Sequence, residues 1–172
     1  PPMVRVYDLA FSSPDSGHAV GASGIDGRIS FTTNSGTNWS GQAPSGIEFL
    51  RAVAFSVPGP SMRIAVGDSG AILHTTNLGA TWMSRSSGTT RDLGAVAIAS
   101  PSHIYAVGDI GIVLRSTDGG ISWSQQPTGT TTRLTGVAFI SRDTGVVVGN
   151  NGLVLRTTTG GVVAVEDPDP AC

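Results

Sequence analysis

The residues of this chain that could do chemistry are few and widely spaced. The histidines are His18, His74 and His103, and the single cysteine is Cys172. None of these residues has the His-x-His or His-x-x-x-His spacing that places two ligands on one metal ion. One cysteine excludes both a zinc site built on several cysteines and an internal disulfide framework. The glycine patterns of nucleotide-binding loops and nucleophile elbows are also missing. The sequence therefore indicates no metal or cofactor.

Residues that could cleave glycosides are equally sparse. The chain has two tyrosines, Tyr7 and Tyr105, and two glutamates, Glu48 and Glu166. Any two inward carboxyl groups about 5–10 Å apart could act as a glycosidase pair, but no spacing in this chain singles one out. The formal net charge of −2 argues against a nucleic-acid partner, because such proteins usually carry a basic stripe. We therefore expect a protein that is not an enzyme.

The elements that position these residues repeat about every forty residues. The tryptophans recur at intervals of 43 and 41 residues, at Trp39, Trp82 and Trp123. A Val-Gly pair recurs with them, and each copy opens with an apolar run such as "VAF". The glycines of these pairs are Gly21, Gly67, Gly108 and Gly149. A repeat of this length indicates a propeller blade.

Each copy is typical of four short β-strands. The copy from Leu93 has runs rich in Val, Ile and Leu, separated by turn residues at 101–102, 109–111 and 118–120. We predict an all-β fold with four blades of about four antiparallel strands, as a closed small ring or part of a larger ring or assembly. The predicted domain covers 1–166, followed by an acidic, proline-rich linker over 167–172. The predicted blades are 3–48, 49–92, 93–133 and 134–166.

Four strings in the chain resemble the Asp box, Ser-x-Asp-x-Gly-x-Ser/Thr-Trp. "STDGGISW" at 116–123 matches it fully, and "TTNLGATW" at 75–82 and "TTNSGTNW" at 32–39 match more loosely. The fourth copy, "TTTGGVVA" at 157–164, has lost the acid and the Trp. With the "VGDxGxI" strings, the repeats look most like the photosystem II stability/assembly factor type of propeller, which is common in secreted bacterial proteins. That resemblance implies a binding protein outside the cytoplasm.

The Asp-box residues have a local structural role in this interpretation. An Asp or Asn at the turn can accept backbone N–H bonds, and glycine can take the positive φ that the turn needs. The Trp then covers the turn with apolar area. We expect these roles for Asn34, Asn77 and Asp118 and for Trp39, Trp82 and Trp123.

Two other functional classes remain open beside a binding module. Asp boxes also occur in sialidases, which implies a glycan-binding or glycan-cleaving alternative. However, the Phe/Tyr-Arg-Ile-Pro signature of sialidases is absent, and "MRIAV" at 62–66 lies inside a repeat strand. The third class is a structural repeat that polymerises.

His74 aligns with Arg115 and Arg156 in the repeat, which predicts a polar, solvent-facing position.

The loop that enters each innermost strand is the predicted recognition surface. The copies differ most there while the framework repeats, as expected of binding residues on a rigid scaffold. Arginine and aromatic residues dominate binding hot spots. We therefore expect the partner contacts at Tyr7, Phe49, Arg51 and Arg133.

The expected partner is another protein or a second copy of the chain, with a glycan as a further possibility. No apolar run reaches the roughly 18 residues that a membrane-spanning helix needs, so we expect no membrane span. The first and fourth copies show no polar outer face. We therefore predict a homo-oligomer or a segment of a longer chain. The chain begins at Pro1 without an initiator Met, so we expect that a preceding segment, either a signal peptide or an expression leader, was removed.

Overall fold

Each repeat copy forms one antiparallel four-stranded sheet in the computed structural model, which describes residues 5–44, 46–56, 62–160 and, as backbone, 164–166. Consecutive strands pair in chain order, so that each blade is a meander. The strands of the described residues are β1 Arg5–Phe11, β2 Gly17–Ser23, β3 Asp26–Thr32, β4 Ser40–Gln42, β5 Leu50–Phe55, β6 Arg63–Gly67, β7 Ile72–Thr75, β8 Met83–Ser84, β9 Leu93–Ile98, β10 Ile104–Gly108, β11 Val113–Ser116, β12 Ser124–Gln126, β13 Leu134–Phe139, β14 Gly145–Gly149, β15 Val154–Thr157 and β16 Ala164–Glu166. The predicted all-β fold of four blades is confirmed. The predicted linker over 167–172 lies outside the described residues.

The blades stack face to face through their first strands. β1 packs against β5, β5 against β9, and β9 against β13. Between neighbouring blades lies an apolar core, and the middle strands contribute to the cores on both sides. Ile64 and Val66 face the third blade, whereas Ala65 between them faces the first. This burial on both faces explains why the strand sequences do not alternate cleanly between apolar and polar residues.

The stack is an open arc in the part of the chain that the structure describes. No extensive contact joins β1 of the first blade to β13 of the last. Apolar side chains are exposed on both end blades, among them Leu9 and Phe11 on β1 and Val146 and Val148 on β14. The described residues thus do not form the closed small ring, and the larger ring or assembly stays a prediction. Among the described residues, no helical segment has the length and apolarity needed to cross a bilayer.

The two edges of the arc carry different loops. We call the edge at which the first strand of each blade begins the start edge, and it also carries the turns between second and third strands, including 68–70, 109–111 and 150–152. The opposite edge is the Asp-box edge, because the strings at 32–39, 75–82 and 116–123 connect third to fourth strands there. The expected recognition residues therefore lie on the edge away from the Asp boxes.

Candidate functional site

A β-bulge interrupts the first strand of every blade at the same repeat position. The pairing of β5 with β6 passes from Leu50–Gly67 to Ala52–Val66 and leaves Arg51 without an opposite residue. The other three blades show the same register shift. The four bulged residues are Tyr7, Arg51, Gly94 and Thr135. A bulge turns a side chain out of the regular alternation of the strand. The backbone is the same at this position in all four blades, while the residue at the bulge differs from blade to blade.

Arg51 is the centre of a fixed cluster on the start edge. Its Nε lies 2.6 Å from Asp68 Oδ1 and its Nη2 lies 2.8 Å from Asp68 Oδ2, which makes a bidentate pair. Its guanidinium carbon lies 4.9 Å from the ring centre of Tyr7 and 5.5 Å from that of Phe49. The hydrogen bonds to Asp68 raise the pKa of Arg51. The structure thus brings together three of the four residues expected to bind a partner.

The Tyr7 and Phe49 rings complete this cluster across two blades. Their centres lie 6.3 Å apart at 76°, an edge-to-face contact of the kind aromatic pairs prefer. Tyr7 remains 36% exposed, and Phe49 is half-buried. The cluster therefore presents aromatic surface to solvent while Asp68 fixes the cation between the rings. A partner side chain would find a site whose geometry is already set.

Arg133 lies elsewhere on the same edge. Its Nε is 3.0 Å from Asp109 Oδ1, which joins the fourth blade to the turn of the third. In the part of the chain that the structure describes, it contacts none of Tyr7, Phe49 and Arg51. Arg133 is therefore a separate exposed cation rather than a fourth member of the cluster.

Backbone hydrogen bonds hold the start edge in place. The first residue of each turn donates its N–H to the carbonyl of the residue just before the first strand of the same blade. Asp68 donates to the Phe49 carbonyl and Asp109 to the Asp92 carbonyl, both at 2.9 Å. Asp92 Oδ1 in turn accepts the N–H of Ser69, also at 2.9 Å. The loops pack so closely that a Cβ at Gly67 would overlap the Phe49 carbonyl oxygen. This close approach explains why the Val-Gly pair recurs.

Asp68 and Asp109 are residues of the start edge that sequence reasoning missed, and each pairs with an arginine. Both belong to "VGD" strings, in which the acid directly follows the repeated glycine. The fourth copy has Asn150 at this position, and the recurrence was the available signal. A polar groove of about 660 Å³ also opens on the second blade, beside Asp68. Its charged wall residues are Glu48, Asp68, Arg85 and Arg91.

The Asp boxes form closed turns at the opposite edge. In the third blade, Asp118 accepts the backbone N–H groups of Ile121 and Ser122 and the hydroxyl of Ser122 at 2.5 Å. These hydrogen bonds, that of the Ser122 hydroxyl above all, lower the pKa of Asp118 from 3.8 to about 2. Ser116 Oγ donates to Asp118 and accepts the N–H of Gly120. Asn77 and Asn34 make corresponding bonds in their own boxes.

Each box tryptophan lies next to its own turn, one residue before the last strand of the blade rather than on it. Trp123 Nε1 donates to the Gly120 carbonyl at 3.2 Å, and Trp39 Nε1 donates to that of Gly36 at 3.1 Å. Trp82 differs, since its buried Nε1 has no partner among the described residues. Instead its ring packs against His18 of the preceding blade at 6.1 Å. These side chains belong to the framework and form no reactive constellation.

Two residues considered for chemistry are inside the fold. His74 is only 3% exposed, so the expectation of a solvent-facing position is wrong. Burial, and secondarily Arg85, lowers its pKa. Tyr105 is 2% exposed, stacks on Phe139 at 3.8 Å, and donates its hydroxyl to the carbonyls of Gly160 and Arg142. Burial raises the pKa of Tyr105, which makes it a poor nucleophile.

A family model and several solved structures match this chain. The model of the family described as photosynthesis system II assembly factor YCF48 matches residues 84–158. This match confirms the resemblance of the repeats to that type of propeller. No curated protein matches the chain.

The solved structures agree with the fold. YCF48 bound to a D1 peptide superposes with a TM-score of 0.74 at 16% identity, covering 99% of this chain and 56% of that chain. YCF48 from Cyanidioschyzon merolae gives 0.74 at 19% identity, covering 92% and 52%. A GH74 enzyme of Niastella koreensis gives 0.78 at 16% identity, covering 96% and 30%. At these identities the likeness shows the fold, and this chain spans about half the length of the two YCF48 chains.

Proposed function

We propose that this chain is a non-enzymatic binding module that holds a peptide segment of a partner protein at its start edge. The observation that carries the proposal is the cluster of Tyr7, Phe49 and Arg51, which the bulged strands present on an otherwise repeating framework. Aromatic and arginine side chains with fixed positions are the usual anchors of protein interfaces. The peptide complex of YCF48, which has the same fold, supports a protein partner of this general class.

The electrostatics of the cluster favour an apolar or aromatic anchor residue on the peptide. Asp68 already balances the charge of Arg51, so a second carboxylate has no free cation to pair with there. The exposed faces of Tyr7 and Phe49 offer apolar area, and the neighbouring groove offers hydroxyl and backbone groups to an extended chain. Arg133 is exposed but already pairs with Asp109 in the same way, so the proposal assigns no acidic residue of the peptide to it.

Several observations support a module without catalysis. Tyr105 is buried, and its hydroxyl lies within hydrogen-bond distance of the Arg142 and Gly160 carbonyls. Asp68 and Asp109, the acids of the start-edge turns, are each held by an arginine. The likeness to a GH74 enzyme concerns the fold. We therefore expect no hydrolysis of sialosides or aryl glycosides.

Selection of binding peptides tests the proposal. A random-peptide display library is selected on the immobilised chain, and the affinity of the best peptide is measured by fluorescence anisotropy. Tyr7→Ala and Arg51→Ala should each weaken binding at least about tenfold, because both remove an anchor. Because Tyr7→Ala leaves the Arg51–Asp68 ion pair intact, weaker binding by this variant does not come from unfolding of the edge after the loss of that pair. Arg142→Ala, which removes an exposed pair with Asp143, should leave the affinity unchanged.

Two results would overturn this proposal. One is that no peptide is enriched while a glycan array shows binding, which would favour the glycan alternative. The other is that the selected peptides bind Tyr7→Ala and Arg51→Ala as tightly as the unaltered chain, which would place the site elsewhere.

Location and self-association belong to the same proposal. We propose an extracytoplasmic location on the strength of the family resemblance, and fractionation of cells that make the natural protein tests it. The exposed apolar end blades support a chain that associates with a second copy. Both features suit a module that holds a partner within an assembly.

A further inference from the structure

A second cavity lies between the first two blades, at the Asp-box edge and so on the other side of the molecule from Arg51. Its volume is about 540 Å³, within the range of small-ligand sites. Hydroxyl groups, three aromatic rings and one charged side chain line it. The rings are His18, Phe31 and Phe55, and the charged residue is Arg63. Among the wall residues that the structure describes, none is an aspartate or glutamate.

Arg63 is a buried cation without a described counter-ion. The residue is 3% exposed, and its Nη1 donates to the Leu78 carbonyl and lies 2.8 Å from His18 Nδ1. Its Nη2 is 3.4 Å from Ser12 Oγ, a weak contact. All of these acceptors are neutral, and within the described ranges no carboxylate lies within 4.0 Å of the guanidinium. A buried charge left without an opposite charge is costly, so its retention calls for an explanation.

The interface between the second and third blades has an apolar pair at the equivalent place. Counting back from the repeated glycines, Arg63 corresponds to Ile104, and His18 corresponds to Ile64. Ile64 and Ile104 are both fully buried and fill the space under Gly120 of the third Asp box. Between the first and second blades, a histidine and an arginine replace this apolar pair and a cavity opens. The change is local, since the strands keep the same pairing.

His18 adds no second charge to the cavity. Burial, and secondarily the nearby Arg63, lowers the pKa of His18 to about 4, so the imidazole is neutral at neutral pH. Its ring stacks on Phe31 at 6.0 Å and meets Phe55 edge-on at 5.8 Å. Arg63 itself lies over the Phe55 ring, 5.0 Å from its centre. The cavity therefore combines one fixed positive charge with aromatic walls.

We propose that this cavity binds a carboxylate carried on an apolar or aromatic body, with the carboxylate paired to Arg63 and the body against Phe31 and Phe55. A guanidinium matches the planar geometry of a carboxylate and can donate two parallel hydrogen bonds to it. One cation among aromatic rings suits a singly charged organic acid better than inorganic sulfate, which carries two charges and no apolar part. The acid can be a free molecule or the terminal carboxylate of a peptide.

Calorimetric titrations with matched probes test this site. Phenylacetate represents the free acid, N-acetylphenylalanine represents a peptide terminus, and phenylacetamide and N-acetylphenylalaninamide are their neutral counterparts. At least one of the two acids should bind, and its amide should bind at least about tenfold more weakly. Binding by phenylacetate alone indicates a free acid as the natural ligand. Binding by N-acetylphenylalanine alone indicates a peptide terminus, and either result supports the proposal.

Variants at Arg63 locate the binding. Arg63→Ile introduces the residue that the third blade has at this position, and it should weaken binding of the acid at least about tenfold. Arg63→Lys keeps the charge without the two parallel donors and should give an intermediate affinity. Arg51→Ala should bind the acid unchanged, which separates this site from the proposed peptide site. If circular dichroism shows that Arg63→Ile does not fold, the inference is tested by the affinity of Arg63→Lys for the acid and by the comparison of the acid with its amide.

Three results would overturn the inference. These are failure of both acids to bind, equal binding of the acid that binds and its own amide, and unchanged affinity for that acid in folded Arg63→Ile or Arg63→Lys. None of them bears on the peptide site at the start edge, because that site is tested by Tyr7→Ala and Arg51→Ala.

Discussion

Asp118 shows how one side chain closes a turn, and its ionisation gives a prediction. Its pKa is lower in the folded chain than the usual 3.8, because the carboxylate accepts bonds from Ser122 and Ile121. The ionised carboxylate therefore stabilises the folded state above about pH 4, and this contribution is lost as the pH falls toward 2. In Asp118→Asn, the free energy of unfolding should fall less steeply over this interval. Urea denaturation at several pH values measures it.

The second Asp box supplies the reciprocal variant. Asn77 accepts the Thr81 N–H and donates to the Thr81 hydroxyl, where Asp118 accepts both groups from Ser122. Asn77→Asp should therefore make the loss of stability between pH 4 and pH 2 steeper. If the free energy of unfolding falls equally steeply between pH 4 and pH 2 in both variants and in the unaltered chain, ionisation of these carboxylates does not affect folding.

The tryptophans of the boxes differ in burial, and this difference predicts a graded loss of stability. Trp123 packs against the core between the second and third blades, whereas Trp39 is 40% exposed and contacts Phe11. Trp123→Ala should lower the free energy of unfolding by about 3 kcal/mol, as for other well-packed aromatics. Trp39→Ala should cost less than half of that. Equal losses in thermal unfolding would contradict the assigned packing.

At the scale of elements, the tight turns between second and third strands contain an avoidable strain. Ser69, Ile110 and Asn151 occupy the same turn position with φ of 55°, 53° and 59°. Asparagine tolerates this left-handed conformation, while a β-branched residue is disfavoured there. Since Ile110 is exposed, Ile110→Asn should stabilise the chain by about 1 kcal/mol.

Ile121 provides the matched control for that substitution. It is also exposed, but its φ is not positive. Ile121→Asn should therefore leave the midpoint of urea unfolding nearly unchanged. If Ile110→Asn is less stable than the unaltered chain, the packing of the Ile110 side chain contributes more to stability than the strain of its positive φ removes.

The strands themselves could be predicted from the sequence, because their ends are marked by residues with strict backbone requirements. Gly67 and Gly108 must lack a side chain because the loop that enters the first strand of the same blade crosses them, so they recur visibly. The bulge at Arg51 could not be predicted, since it depends on how β5 and β6 pair across a turn. Its ion pair with Asp68 joins residues that only this pairing brings together.

Repeat alignment also failed where neighbouring blades use one position differently. Arg115 is half-buried against Tyr105, whereas His74 in the same slot is buried. Arg63 and Ile104 occupy another equivalent position of the repeat. Both are buried, but one side chain is charged and the other is apolar. The period of a sequence determines backbone position, but the neighbours on both sides of a blade determine what a side chain meets.

For the whole molecule, the apolar end blades predict self-association. Leu9 and Phe11 on β1 alternate with Ala10, which packs toward the second blade, so the two larger side chains face outward. At micromolar concentration, light scattering should give a mass above the 17.5 kDa of one chain. Leu9→Glu should reduce that mass, because it places a charge on the end blade.

Ile25→Glu is the control for self-association, since Ile25 is 76% exposed in the turn between β2 and β3 rather than on the outer sheet face of the first blade. It should leave the measured mass unchanged. A clean 17.5 kDa species for the unaltered chain would show that the end blades do not associate.

The footprint of a selected peptide on the whole molecule tests the binding proposal most directly. Amide chemical shifts of the isotope-labelled chain are recorded as the peptide is added. The proposal predicts that the largest changes lie at the start edge, around Tyr7, Phe49, Arg51 and Ser69, and extend toward Arg133. Largest changes at the Asp-box turns or on the outer faces of the end blades would contradict it.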